Sequence, residues 1–314
     1  MTRYFGVIGN RDHIKINKGT PTEEKRPFWE FLDEQPDAWL CSLAYERDDV
    51  PTDRQRLWDC GAWSYKDKDT PAFSASKPVT PHTVLARYMQ VAQSGDFVVA
   101  PDHMLLEHLT PEQLDARREF NRASAVEFLQ LAQGTGFIPM GVVHGLTVEE
   151  RVQHAVFLRD LGYTALAVGG IAARASQKKL AIGWVEAIRA VTPGMWLHVL
   201  GLSSPAFMAQ WKRLGVDSCD GSSHFKQAFT GGAFFSRDGA SLIKHKAARS
   251  CRETFQPLEP ITAPECSCTA CVRLRHDGID TRTYGSNENN MGRAAHNLNM
   301  LMRAQKAAMQ EVTC

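Results

Sequence analysis

The sequence predicts an α/β protein: a (β/α)8 TIM-type barrel followed by a zinc-binding C-terminal appendage. Three observations carry this. Short apolar runs alternate with helical segments from Phe97 to Cys219, polar residues recur where those runs end, and three cysteines crowd into the stretch Cys266–Cys271.

The alternation is clearest in the middle of the chain. Phe97-Val98-Val99-Ala100 is a buried-strand run, and Thr110-Pro111-Glu112-Gln113 opens the next helix with a cap, a first-turn proline and a Gln that closes a capping box. Leu114, Ala125, Phe128, Leu129 and Ala132 line the apolar face of that helix, and Gly134 is expected to end it. Further strands are predicted at Ile138–Val143, Leu166–Val168, Trp196–Leu200 and from Val216 to Cys219. Helices are predicted from Thr147, with Glu150 three residues on, and over Leu180–Val191 and Ser204–Leu214. Strands spaced by helices make a parallel sheet. Tyr4–Ile8, Trp39–Ala44 and Arg56–Trp58 bring the number to eight, the number for a closed barrel; an open doubly wound sheet is the rival. The stretch 48–79, rich in Pro, Asp and Lys, reads as loop around the third strand.

Asp59, Asp102, His144, Gly169-Gly170, Gly201 and Asp220 fall at or just after strand ends. In a parallel barrel those ends share one face, where active sites are built. A single Asp there is more simply a cap or turn residue; three carboxylates in one mouth are harder to explain so.

With 314 residues, 43% hydrophobic and 23% charged, the chain suits a soluble globular protein. Net charge is +1, so bulk charge announces no polyanion, although Lys and Arg outnumber Asp and Glu 12 to 8 from Ser222 onward. No secretory signal or apolar run near the ~18 residues of a membrane span is visible, so a cytoplasmic protein with no membrane partner is expected. Eight cysteines at 41, 60, 219, 251, 266, 268, 271 and 314 then suggest metal ligation rather than disulfides. Cys266, Cys268 and Cys271 form a C-x-C-x2-C knot, and His276 or His296 would complete a closed, structural tetrahedral site for which zinc is the default and iron the rival. His296 sits on a final helix predicted from about Gly292 to Gln310, with Leu298, Leu301 and Met302 on one face. Composition therefore suggests a barrel over residues 1–254 and a metal-pinned subdomain over 255–314.

These pieces together resemble the tRNA-guanine transglycosylase superfamily, the queuine and archaeosine tRNA-ribosyltransferases. The knot followed by His296-Asn297-Leu298 resembles its zinc motif. Trp58-Asp59-Cys60-Gly61-Ala62-Trp63 resembles D-S-G-G-F-Q, and Ala100-Pro101-Asp102 its strand ending in Asp. Gly141–Gly145 resembles G-I-V-Q-G, Ala167–Ile171 A-V-G-G-L, His198–Gly201 H-L-M-G, and Gly215–Asp220 G-V-D-x-F-D. The resemblance runs from about Asp59 to the C-terminus.

What it implies is a pentosyltransferase that exchanges guanine through a covalent glycosyl-enzyme. Asp220 is the implied nucleophile and Asp59 the general acid/base, while Asp217, facing the other side of its strand, is expected to be structural. Asp102 would accept from N1–H and the 2-amino group of the base, Gly169-Gly170 would donate to its 6-oxo group, and His144 stands where tRNA enzymes carry Gln. Trp63 and Leu200 would sandwich the ring. Ser64 in place of Gln, Ala175 near where bacterial members keep a Glu, and Gly221-Ser222-Ser223-His224 in place of L-P-T-R depart from the tRNA enzymes. These departures resemble the DNA-guanine transglycosylases, which insert 7-cyano-7-deazaguanine or a derivative. The partners so implied are DNA, with tRNA the alternative, a free 7-deazaguanine base, and a second copy of the chain or helper proteins. A non-catalytic nucleic-acid-binding subunit on the same fold, or an unrelated metal-dependent barrel hydrolase, ranks lower, because the three carboxylates are present and the only strong ligand cluster is closed.

Overall fold

The computed structural model describes residues 1–10, 12–45, 47, 49–236, 241–251, 254 and 256–311. Phe255, where the appendage was expected to begin, and Cys314 lie outside the described residues. Eight strands close into a parallel barrel: β1 Arg3–Val7, β2 Ala38–Ser42, β3 Arg56–Asp59, β4 Phe97–Val99, β5 Ile138–Val143, β6 Ala165–Val168, β7 Trp196–Val199 and β8 Ser218–Gly221. Each pairs with the next in chain order and β8 returns to β1, which settles the choice against an open sheet. The strands read as apolar runs because they are covered on both faces; every residue of β4 and β6 is buried. Registers such as Ser42 opposite Asp59 and Val168 opposite both Val143 and Val199 align the strand ends that carry the polar residues.

Helices α1 Pro81–Val91, α2 Pro111–Leu131, α3 Val148–Leu161, α4 Lys178–Val191 and α5 Pro205–Arg213 follow β3 to β7. Thr110 and Gln113 form the expected capping box on α2, Thr80 and Thr83 form another on α1, and Thr147 caps α3 by accepting from Glu150 N. Helix α2 ends at Leu131, before Gly134, which instead turns the chain toward β5. Among the described residues no α-helix follows β1 or β2 before the next barrel strand. The stretch 48–79 is less uniformly loop than composition suggested: besides β3 it holds a 3-10 turn at Ala62–Tyr65 and a small hairpin, Ala72–Ser74 with Lys77–Pro78.

The start of the barrel strands is fixed by a buried carboxylate. Asp96, just before β4, accepts from Arg56 N and Nε at 2.9 Å, Trp58 Nε1 at 3.2 Å and Gln93 N at 2.9 Å, and its Oδ2 lies 2.7 Å from Arg56 Nη2. Both partners of this ion pair are almost fully buried, and they tie β3 to β4.

The chain forms two compact units. The first comprises residues 1–10, 37–202 and 210–220; the second comprises 11–36, 203–209 and 221–314. This division differs from a cut at 254/255. The reason lies in α8, Asn287–Gln310, which starts at a Ser286 cap ahead of Gly292 and is buried on nearly every face. Helix α6, Ser223–Phe229, and the hairpin Gly232–Ser236 with Leu242–Lys246 pack on it. Asn297 accepts from Phe234 N at 2.7 Å and donates to Gly232 O at 2.9 Å and His224 O at 3.2 Å. Arg293 donates to Ala228 O and Thr283 O. Polar side chains on one helix thus satisfy the backbone of segments far away in sequence. No helix among the described residues is long and apolar enough to cross a membrane.

Candidate active site and metal centre

Asp59 ends β3, Asp102 follows β4, His144 follows β5, Gly169 and Gly170 follow β6, Leu200 and Gly201 follow β7, and Asp220 lies in β8. All belong to the first unit. Asp220 is buried, and its Oδ1 is held twice: Gly201 N donates at 2.9 Å and His198 Nε2 lies at 3.1 Å. His198 is itself fixed by Ser218 Oγ at 2.8 Å from Nδ1 and is fully buried inside the barrel. Asp220 Oδ2 takes no hydrogen bond from the described residues, so one oxygen is oriented and the other is left open to a ligand.

Asp59 Oδ2 accepts from Gly61 N at 3.0 Å and Ser42 Oγ at 3.2 Å. Gly61 turns back onto the carboxylate with φ +88°, and a Cβ there would meet the Phe73 ring at 2.8 Å. Solvent reaches Asp59 in part, yet its pKa is pushed up to about 7. Desolvation by the surrounding protein is the largest cause; the charges of Asp102 and then Asp220 add to it, against the pull of Gly61 N–H and the Ser42 hydroxyl. Asp59 thus feels the charges of both Asp102 and Asp220. Asp102 is buried, with Oδ1 2.9 Å from Cys60 Sγ and Oδ2 2.7 Å from His144 Nε2; Tyr65 Oη donates to its carbonyl at 3.0 Å. An ionised carboxylate has about four acceptor sites, so two remain for a ligand. Burial pushes the Cys60 thiol up, which keeps it a donor.

The glycine pair divides its tasks. Gly169 N donates to Val143 O at 3.0 Å in the ladder, so of the two only the Gly170 N–H lacks a partner among the described residues. A Cβ on Gly169 would sit 2.7 Å from His144 Cε1 and from Val142 Cγ1, so the close approach of β6 to His144 requires glycine. Trp63 is 63% exposed, and its ring partner among the described residues is Lys66 Nζ at 5.2 Å; Leu200 is half-buried. Asp217 accepts from Leu197 N and Arg189 Nη2, both at 2.8 Å, which gives it a role in tying β7 to β8. His198 is the residue that sequence reasoning missed. It was legible only as part of H-L-M-G; a histidine inside a strand reads as a satisfied core residue, and its grip on Asp220 appears only in three dimensions.

In the second unit, the ligand atoms of Cys266, Cys268, Cys271 and His296 lie within 4.8 Å of one another. His296 Nδ1 is 3.3 Å from Cys271 Sγ and 3.5 Å from Cys268 Sγ. Its Nε2 lies 2.6 Å from Phe234 O, so the proton belongs on Nε2 and the Nδ1 lone pair is left for the sulfurs. Thr281 Oγ1, 3.0 Å from Cys271 Sγ, supplies a further contact. His276, the exposed last residue of α7 Thr269–His276, is not in the cluster. Three sulfurs and an imidazole gathered this closely, all but Cys266 buried, make a donor set that can hold one metal ion.

Residues 89–313, well over half of the chain, match the family model described as queuine tRNA-ribosyltransferase. The chain belongs to this family. The match takes in Asp102, Asp220 and all four candidate ligands, whereas Asp59 and Trp63 precede it, so their place in this queuine tRNA-ribosyltransferase family member rests on geometry. The chain is also similar to a DNA-guanine transglycosylase of Salmonella montevideo, at 25% identity over 193 residues, covering 57% of this chain. That match spans 43% of the relative's own length.

Proposed function

We propose that this protein is a guanine transglycosylase acting on DNA, which replaces guanine with a 7-deazaguanine derivative, 7-cyano-7-deazaguanine foremost, through an aspartyl-glycosyl intermediate. The observation that carries this is the Asp220 carboxylate, with Oδ1 clamped by His198 and Gly201 and Oδ2 unbonded, beside an Asp59 that is poised to hold a proton near neutral pH.

The residues divide the work as follows. The target guanine leaves its stack and offers its N1–H and 2-amino group to Asp102, while the 6-oxo group takes the Gly170 N–H. Asp220 Oδ2 attacks C1′ of the nucleotide; the C1′–N9 bond breaks and its electron pair goes to guanine, which receives the Asp59 proton. The incoming base then gives a proton to the Asp59 carboxylate and attacks C1′, and the ester to Asp220 breaks. Two displacements replace one difficult step, and the acid of the first becomes the base of the second. Cys266, Cys268, Cys271 and His296 would hold a zinc ion that supplies structure only, since four protein ligands leave no position for water.

DNA is preferred because the named relative is a DNA-guanine transglycosylase and the stretch after Asp220 lacks the Arg that resemblance led us to expect of tRNA enzymes. The family description favours tRNA as the second reading. Incubation with a labelled 7-deazaguanine and either duplex DNA or tRNA separates them. Label in DNA, absent with Asp220→Asn, is expected; label in tRNA alone would reverse the choice, and label in neither would remove the activity.

A further inference from the structure

Helices α2 and α3 enclose an open cleft of about 330 Å³ beyond His144, lined in part by Arg118, Arg122, Glu150, Gln153 and His154. His144 is common to this cleft and to the base site, because its Nε2 reaches Asp102. The cleft's polar groups are unevenly satisfied. Glu150 is consumed internally: Oε1 accepts from Arg118 Nη2 at 2.9 Å and Oε2 from Leu146 N at 2.7 Å. Arg118 also meets Asp115 at 2.8 Å, so its charge is balanced.

Arg122 and His154 are different. Among the described residues Arg122 pairs with no carboxylate; its guanidinium lies 3.9 Å over the Phe157 ring, which sets its plane at the exposed rim. His154 is about nine-tenths buried, and its Nδ1 accepts from His144 N at 3.0 Å. That bond forces the ring proton onto Nε2, a buried nitrogen with no partner among the described residues. Burial and neighbouring positive groups hold the ring's pKa down to about 4, so it donates as a neutral imidazole. One uncompensated cation and one orphaned donor, with no free acceptor charge, match a singly charged oxyanion.

We infer that this cleft is a subsite for a phosphodiester of the nucleic-acid strand whose base occupies the Asp102 site, with Arg122 as the charge contact and His154 Nε2–H as the neutral donor. The inference rests on the proposed action on nucleic acid. It assigns the strand's grip to the α2–α3 side of the barrel mouth, and it couples that grip to base reading, since His154 fixes the His144 backbone while His144 meets Asp102.

Binding of a fluorescent DNA oligonucleotide, followed by anisotropy over a salt series, tests it. Replacing Arg122 with Gln should weaken binding and reduce the slope of log K against log salt by about 0.9 on duplex or about 0.7 on single strands, the loss of one phosphate contact. His154→Phe should weaken binding with the slope unchanged, because the lost donor is neutral. Arg122 is exposed, so its variant should fold even where His154→Phe does not. Wild-type binding with the same slope in Arg122→Gln overturns the subsite alone. Millimolar inorganic phosphate that binds wild type but not Arg122→Gln, with the DNA slope unaltered, overturns it in favour of a free-phosphate site. Failure of wild type to bind either DNA or tRNA overturns the proposed function, and the subsite with it.

Discussion

At Asp59, stability and chemistry pull in opposite directions. A carboxyl whose pKa is about 7 in the fold and near the ordinary ~4 in the unfolded chain is better ionised by unfolding. Its effect on stability is absent below pH ~4, becomes unfavourable as pH rises, and is complete above pH 7. Asp59→Asn should therefore raise the melting temperature at pH 8 by a few degrees, with the gain vanishing toward pH 4, while base exchange falls by about 10²-fold or more. With Asp59 as the acid of the first displacement, kcat/KM for DNA should drop about tenfold per pH unit above 7 in wild type. A flat profile from pH 6 to 9 would remove Asp59 from that role. His198 offers a second residue-scale test. His198→Asn removes one of the two contacts that hold Asp220 Oδ1 and leaves the Gly201 N–H, so under the proposed function kcat should fall by up to ~10²-fold with KM little changed. Asp59, Asp102 and Asp220 were legible in the sequence because three carboxylates at strand ends that share one face are harder to explain as caps than any one of them. His198 was not, because nothing along the chain distinguishes a buried histidine holding a carboxylate from one packed in the core.

Among the elements, β5 and β6 show how much precision the site asks of backbone. Gly169→Ala would drive a Cβ against His144 Cε1 and Val142 Cγ1 and cost about 1–3 kcal/mol by overpacking. Because the displaced ring is the one on Asp102, the affinity for free 7-deazaguanine should fall in calorimetry by more than the drop in melting temperature alone would suggest. Unchanged base affinity would separate His144 from base reading. Strands β4 to β7 were readable from sequence since burial on both faces leaves largely apolar runs, and Ile138–Val143 was bounded to the residue; β8, Ser218–Gly221, lies two residues beyond the expected start at Val216 because its residues are not an apolar run. Helices α2 and α3 were readable from their caps. The hairpin Gly232–Ser236 with Leu242–Lys246 and the short helices α6 and α7 were not. The hairpin strands mix exposed and buried positions, and the packing of the hairpin and α6 is dictated by Asn297 and Arg293 on a helix some sixty residues later.

For the whole molecule, the composition shift near Phe255 suggested one boundary, whereas contacts gather discontinuous stretches into each unit. A cut in sequence cannot reveal that α8 collects partners from residues 11–36 and 221–236; only its unusual content of buried Asn, Arg and Gln hints that it serves as a hub. The second unit should accordingly depend on its ion. Elemental analysis should find about one zinc per chain, His296→Ala should lower that occupancy, and prolonged chelation should lower the melting temperature of the wild type. A metal-free protein with the same melting temperature would argue against a structural ion. The buried pair Arg56–Asp96 sits where β3 and β4 begin, at the other end of β3 from Asp59. Asp96→Asn would leave a guanidinium uncompensated in the core, at a cost of about 3–5 kcal/mol. A screen for lost function would then score position 96 alongside position 220, although Asp96 is taken up by its contacts to Arg56, Trp58 and Gln93. Under the proposed function, inactivity should have two origins, which thermal melts of each inactive variant would tell apart: loss of the Asp220 carboxylate should leave the melting temperature near its parent's, and a broken foundation should not.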